Sequence, residues 1–287
     1  TPAGSIGYFL SLLTNRPLII DSYEPHAEAM VENGNWRYDS LAYKILFKLE
    51  KLQSKKAKYI ISTTKGMREY AKQKYDISLG FSNSHGHSHS YSFIKPACVD
   101  LNLFSQKNLK KEALVKKYGY NNKIVCVYAG KFGGIYLEQE VFDFFKVAHD
   151  YWGEKFRVLL LTSHKKEEIY ALAEKSKFDI DLINIKFVQH NEIPDYLGLA
   201  DFAINPVKPI PTKRFCTSIK DGEYWALGLP VVITKNISED SKIIQDNKIG
   251  AVTADLNNDA YLKAVTEIDE ILKAYAYSRK ELFNKIR

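Results

Sequence analysis

The chain alternates short runs of β-branched and other apolar residues with longer stretches whose apolar residues return every three or four positions. That rhythm restricts the possible folds more than any other feature. Parallel strands need crossover connections, and helices fill them, so strand-then-helix alternation produces parallel sheets covered by helices. The strand runs are 17–21, 58–62, 124–128, 156–162, 185–188, 201–204, 231–234 and 251–253, with a shorter one near Phe93. Helical periodicity fills 5–13, 41–54, 65–74, 137–149, 165–177, 192–199 and 219–227. Between 82 and 111 the rhythm breaks, and Ser, His, Asn and Lys dominate. The expected fold class is therefore α/β, with two Rossmann-like domains at 1–106 and 107–287. Six strand runs follow the break, enough for a complete doubly wound domain. Only three precede it, and the chain opens on a helical stretch, so the first domain is expected to be incomplete, its N-terminal part belonging to a larger protein.

Bulk properties narrow the class. A chain of 287 residues, 45% hydrophobic and 26% charged, is that of a globular protein with sizeable cores. No run approaches the roughly 18 uninterrupted apolar residues of a spanning helix, and the opening Thr1-Pro2-Ala3-Gly4 lacks the features of a signal peptide. Cys98, Cys126 and Cys216 have no metal-type spacing and leave an odd thiol. That fits a reducing compartment and points to the cytoplasm. The net charge is +7, and residues 43–74 hold ten Lys/Arg against Glu50 and Glu69. Such a field attracts anions, whether phosphates, acidic lipid headgroups or nucleic acid. Nucleic acid is not the expected partner, because the basic cluster lacks interleaved aromatics and any recognition motif.

The stretch from Asp201, DFAINPVKPIPTKRFCTSIKDGEYWALGLPVVIT, reads as a buried strand, a polar loop, a helix and another strand. Ligands of open parallel sheets bind at the carboxyl ends of strands, where loops meet helix N-termini. Thr217 and Ser218 stand where the helix begins. The amides of Ser218 and Ile219 are placed to meet a diphosphate, with Lys220 adding charge. Glu223, one turn on, suits the two hydroxyls of a ribose. The plainer reading is that Ser218 caps a helix, Lys220 is solvated and Glu223 lies on the surface.

The stretch SIKDGEYWALGLPVV resembles one common in the large fourth family of retaining glycosyltransferases of the GT-B fold, SPTKLFEYLAAGKPVV. It shares Ser, Lys, Glu, Tyr, Ala, Gly, Pro and both Val in the same order. IKPACVDLNLF (94–104), VYAGKF (127–132) and HNEIPDYLGLADFAINP (190–206) are similar to three further family segments, in the family's order. The resemblance spans residues 17–255. It implies transfer of a sugar from a nucleotide-sugar donor, which is a substrate and not a cofactor, to a sugar or lipid-linked acceptor. Bacterial surface polysaccharide or glycolipid synthesis is the implied setting. It also implies that Glu223 holds the donor ribose, that Lys131 neutralises the diphosphate, and that Ser218 and Ile219 offer amides to it. Two departures stand out. Phe215 occupies the place of the family's first paired glutamate, and Gly133-Gly134-Ile135-Tyr136 replaces a second lysine. Negative charge grows on the diphosphate as the anomeric bond breaks. Lys131, Lys220 and Lys213 are the cations expected to meet it without a metal ion. Asp179-Ile180-Asp181 mimics a metal-binding Asp-x-Asp, but between a helix and a strand it reads as an ordinary loop.

In the first half, SYEPHAEAM follows the strand run 17–21 and brings Glu24, His26 and Glu28 together. The resemblance places Glu24 nearest the family's histidine at the reaction centre, with His26 two residues on; both are catalytic candidates. A helix N-terminus rich in carboxylates gives the same pattern. The helix 41–54 lines up Lys44, Lys48, Lys51 and Lys55 on one stripe and Ile45, Leu46, Leu49 and Leu52 on another. The apolar stripe is expected in the core. The basic one is a solvated face, or a peripheral contact with the anionic inner face of the cell membrane. His85, His87 and His89 read as a polar insertion, not a metal site. Two other functions share the features: a GT-B sugar-nucleotide enzyme such as an epimerase, and a non-catalytic nucleotide-sugar-binding fragment.

Overall fold

The computed structural model describes residues 2–22, 24–77, 91–276 and 278–287. His85, His87 and His89 lie outside them. The chain forms two compact units. The first comprises Thr1–Ala97, Ile210–Thr217 and Asn236–Glu239, and the second Cys98–Pro209, Ser218–Lys235 and Asp240–Arg287. The contacts thus divide the chain at 97/98 where the sequence suggested 106/107, and they assign two short later segments to the first unit.

The first unit holds a parallel sheet of β1 (Leu18–Ser22), β2 (Ala57–Ser62) and β3 (Tyr91–Ile94), in that spatial order. Leu18, Ala57 and Ile60 form a buried cluster with Tyr8 and Ile20 packed against it. The helices Pro2–Thr14 and Leu41–Lys56 pack on each other and on β1. Helix Pro2–Thr14 is inverted in character. Ser5 and Ser11 are buried, whereas Ile6, Phe9, Leu10 and Leu13, one stripe at helical spacing, are 53% to 83% exposed. Ser40 caps the helix Leu41–Lys56, its Oγ accepting from the Tyr43 amide at 3.2 Å. The buried stripe of this helix is Leu46, Glu50 and Gln53. Ile45, expected in the core, is 58% exposed. Burying Glu50 is made tolerable by donors: the Ala27 amide and the Tyr75 hydroxyl each reach Oε2 at 3.3 Å.

The second unit is a six-stranded, wholly parallel sheet of β4 (Ile124–Ala129), β5 (Phe156–Leu161), β6 (Ile183–Lys186), β7 (Phe202–Asn205), β8 (Val231–Thr234) and β9 (Gly250–Thr253). Its order, β6-β5-β4-β7-β8-β9, is the doubly wound arrangement, in which the strand order reverses between β4 and β7. The middle strands read as unbroken apolar runs because helices cover both faces. Helix Gln139–Trp152 buries Val141, Phe142, Phe144, Phe145 and Ala148. Their rings join Phe156, Phe178 and Phe202 in one core. Helices Asp240–Asn247, Asn258–Ala274 and Arg279–Ile286 were not anticipated. The longest is capped by Asn257, whose side chain accepts from the Ala260 amide. Among the described residues, no helix is long and apolar enough to cross a membrane.

Candidate functional site

The crevice beside the strand-order reversal is where an open α/β sheet receives ligands. Two strand-end segments of the second unit meet there. After β4 the chain turns through Gly130, whose φ of 151° disfavours any side chain. A Cβ on Gly130 would also stand 2.8 Å from the Tyr128 hydroxyl and 2.9 Å from Lys220 Cε. Tyr128 fixes the turn by donating to the Lys131 carbonyl at 2.6 Å. The Phe132 amide donates to His164 Nε2 at 3.0 Å, and His164 Nδ1 faces Glu168 at 2.8 Å. The Lys131 side chain projects from this turn into solvent.

After β7 the chain returns to the same place as helix Ile219–Ala226. Lys220 lies in its first turn, its Nζ donating to the Tyr136 hydroxyl at 2.6 Å. The Lys131 turn and Lys220 therefore share one site. Glu223 is half-buried one turn on. Burial raises its pKa, opposed by the positive fields of His190 and Lys220. Ser218 does not cap the helix with its side chain. Its Oγ accepts from Asn205 Nδ2 at 3.0 Å, and its amide donates to the Asp240 carboxylate at 3.3 Å. That amide, expected to face a phosphate, already has an anionic partner. Ile219 follows as the first helical residue, where an amide has no intrahelical acceptor.

Beneath the helix start lies a polar cluster that the sequence reading missed. Asn205 and Asp221 are fully buried, with Asn205 Nδ2 2.8 Å from Asp221 Oδ1. Burial pushes the Asp221 pKa well up, and the adjacent Asp240 charge pushes it further. The motif's ALGLP ending has a local cause. The Gly228 amide donates to Trp225 O and the Leu229 amide to Tyr224 O, a Schellman closure of the helix. Gly228 takes φ 64° within it.

The first unit holds the other candidates. Glu24 stands between β1 and helix His26–Glu32, its Oε2 2.8 Å from Lys213 Nζ. Lys213 therefore pairs with a catalytic candidate, where a diphosphate contact had been expected. His26 opens the helix, half-buried, and its positive field acts on Glu50. Phe215, where the sequence resemblance led us to look for a glutamate, is buried among Met67, Tyr70, Ala71, Tyr75 and Ile77. Asp179 accepts from the Asp181 amide at 2.9 Å, closing a single turn as a loop residue.

No protein-family model and no curated protein matches this sequence. Solved structures do. HepE from Anabaena, determined in complex with UDP-glucose, matches with a TM-score of 0.69 at 14% identity over 99% of this chain and 70% of that one. WaaG, a glycosyltransferase involved in lipopolysaccharide biosynthesis, matches at 0.66 and 13% identity over 94% of this chain and 70% of its own. The α,α-trehalose 6-phosphate synthase of Burkholderia multivorans matches at 0.63 and 11% identity over 99% and 70%. The fold is of the GT-B type. Parallel sheets within an α/β chain agree with the fold class that the sequence rhythm led us to expect.

Proposed function

We propose that the chain is a retaining glycosyltransferase of the large fourth family, transferring a sugar from a nucleotide-sugar to a sugar or lipid-linked acceptor without a metal ion. One observation supports this above others. Lys220, in the first turn of helix Ile219–Ala226, lies against Gly130 of the β4 turn at the strand-order reversal, with Glu223 one turn on. The site thus combines two lysines, a helix N-terminus and a carboxylate, which suit a diphosphate and a ribose. HepE, of the same fold, was captured with UDP-glucose.

In the reaction, the acceptor oxygen bonds to the anomeric carbon while the bond from that carbon to the diphosphate oxygen breaks. The electron pair leaves with the diphosphate, and the acceptor proton passes to a diphosphate oxygen or to Glu24. Lys131, Lys220 and the Ile219 amide stabilise the charge on the leaving group without reorganising. Glu223 holds the ribose through both carboxylate oxygens. Glu24 and His26 orient the acceptor hydroxyl or the donor sugar. Acceptors of bacterial surface polysaccharide or glycolipid synthesis fit this reading, as does peripheral contact with the inner face of the membrane through Lys44, Lys48, Lys51 and Lys55.

A thermal-shift screen of UDP-, GDP- and ADP-sugars identifies the donor, and nucleoside diphosphate release then reports transfer. Glu223→Ala and Lys131→Ala are each expected to cut release sharply while leaving the melting temperature unchanged. Wild-type release in both variants would sink the proposed site. Tight binding with no release from any donor would mark a non-catalytic binding protein, and epimerised donor without acceptor an epimerase.

A further inference from the structure

Lys213 is 2% exposed, and among the described residues it is the only buried lysine or arginine. An ammonium so far from water persists only when its charge is matched at close range. Its match is Glu24, at 2.8 Å. The lysine is not free to swing elsewhere, because the segment that carries it is tied down along its length. The Thr212 amide donates to Glu32 Oε2 at 2.9 Å, and the Thr212 hydroxyl reaches the same oxygen. Phe215 O accepts from the hydroxyls of Thr63 and Thr64 at 2.7 and 3.1 Å. Thr217 Oγ1 accepts from the Ala97 amide at 2.7 Å, and Lys213 O accepts from the Ser238 amide at 2.9 Å. Every one of these partners belongs to the first unit.

Glu24 lies in the short connection between β1 and helix His26–Glu32. Pro25 precedes helix His26–Glu32 without a side-chain cap, and the Glu24 carboxylate retains 22% exposure. A flexible three-torsion side chain in such a loop is held to one rotamer by its ion pair. We infer that Lys213 is a positioning residue, which fixes the Glu24 carboxylate for the reacting sugar and makes no contact with donor phosphates itself. The inference rests on reading Glu24 as a group that meets the sugar. It also separates Lys213 from Lys131 and Lys220, which serve the leaving group.

The test compares Lys213→Met, Lys213→Arg and Glu24→Gln, using nucleoside diphosphate release from the donor chosen by the screen, with kcat and KM resolved and melting temperatures recorded. Misplacing a reacting group by about 1 Å costs on the order of 100-fold. Lys213→Met is therefore expected to lower kcat by about that factor with the donor KM unchanged, and Lys213→Arg to restore most of it, because a guanidinium can hold the same carboxylate. A rise in KM with kcat preserved would overturn the inference and return Lys213 to the phosphates. Unchanged kinetics in folded Lys213→Met would overturn it as well. If the Met variant does not fold, the Arg variant decides: retained kcat supports positioning, and loss to the level of Glu24→Gln in a folded protein refutes it. Wild-type kcat in Glu24→Gln would instead refute the reading of Glu24, and the role assigned to Lys213 would fall with it.

Discussion

The Lys220 ammonium donates to the Tyr136 hydroxyl at 2.6 Å and stands 4.1 Å from the centre of the same ring. Tyr136 lies in the segment between β4 and helix Gln139–Trp152, so the Lys220 ammonium rests on an aromatic ring from that segment. A charge-assisted hydrogen bond contributes about 1.5–3 kcal/mol. Lys220→Met is accordingly expected to weaken binding of the nucleoside diphosphate by about 10- to 100-fold, whereas Tyr136→Phe, which keeps the ring face, changes it by less than about threefold. Isothermal titration calorimetry measures both. An equal loss in the two variants would overturn the view that the ammonium alone meets the ligand and show that the hydrogen-bonded pair acts as a unit.

Asp221 gives helix Ile219–Ala226 a pH signature. Its folded pKa lies above the ordinary aspartate value of 3.8, so above that value the folded protein holds a proton that the unfolded chain has released. Stability from this group is full at acid pH and declines as the pH rises toward the folded pKa. Asp221→Asn keeps an oxygen for Asn205 and cannot ionise. Its melting temperature relative to wild type is expected to climb over the range from acid to neutral pH, as the pH rises above the ordinary aspartate value. A difference constant over that range would show that Asp221 is ionised in the folded protein.

Gly228 closes helix Ile219–Ala226 at φ 64°, and a Cβ there would lie 2.5 Å from Phe283 Cα, a backbone atom that cannot swing aside. A left-handed residue with a side chain costs roughly 1–2 kcal/mol before any clash is counted. Gly228→Ala is expected to exceed that loss in urea unfolding, with the slope of the transition unchanged. A loss below about 0.5 kcal/mol would mean that the helix ends differently.

The stripe of Ile6, Phe9, Leu10 and Leu13 predicts a solubility phenotype. Exposed apolar stripes promote association, while their substitution at the surface leaves folding free energy within about 0.5 kcal/mol. Phe9→Ser with Leu13→Ser is expected to reduce binding of an apolar fluorescent dye without shifting the melting temperature. A clear drop in melting temperature would show that these side chains are packed in solution.

The strand rhythm was legible because local pattern determines it: each of the strand runs read from the sequence became a strand, including the short one at Phe93. The same holds for helix Ile219–Ala226, whose start and closing glycine are local signals. What the sequence concealed is pairing between distant positions. Nothing near Ser218 announces that Asp240 will accept from its amide, and nothing near Glu24 announces Lys213, because neither pair shares a helix face or a strand register. Ile45 failed for a related reason. A helical stripe identifies which residues share a face but not which face the neighbours cover, and here Glu50 and Gln53 won the interior because Ala27 and Tyr75 supply Glu50 with donors.

The assignment of 210–217 to the first unit bears on how such a chain can change over generations. A crossover at 97/98 between two related genes would import a new β1 loop and leave the old 210–217 in place, so Glu24 would meet a lysine selected for a different partner and Glu32 a foreign Thr212. The halves are thus bound to vary together. Where the β1 loop drifts in the first, residues 210–217 must drift with it.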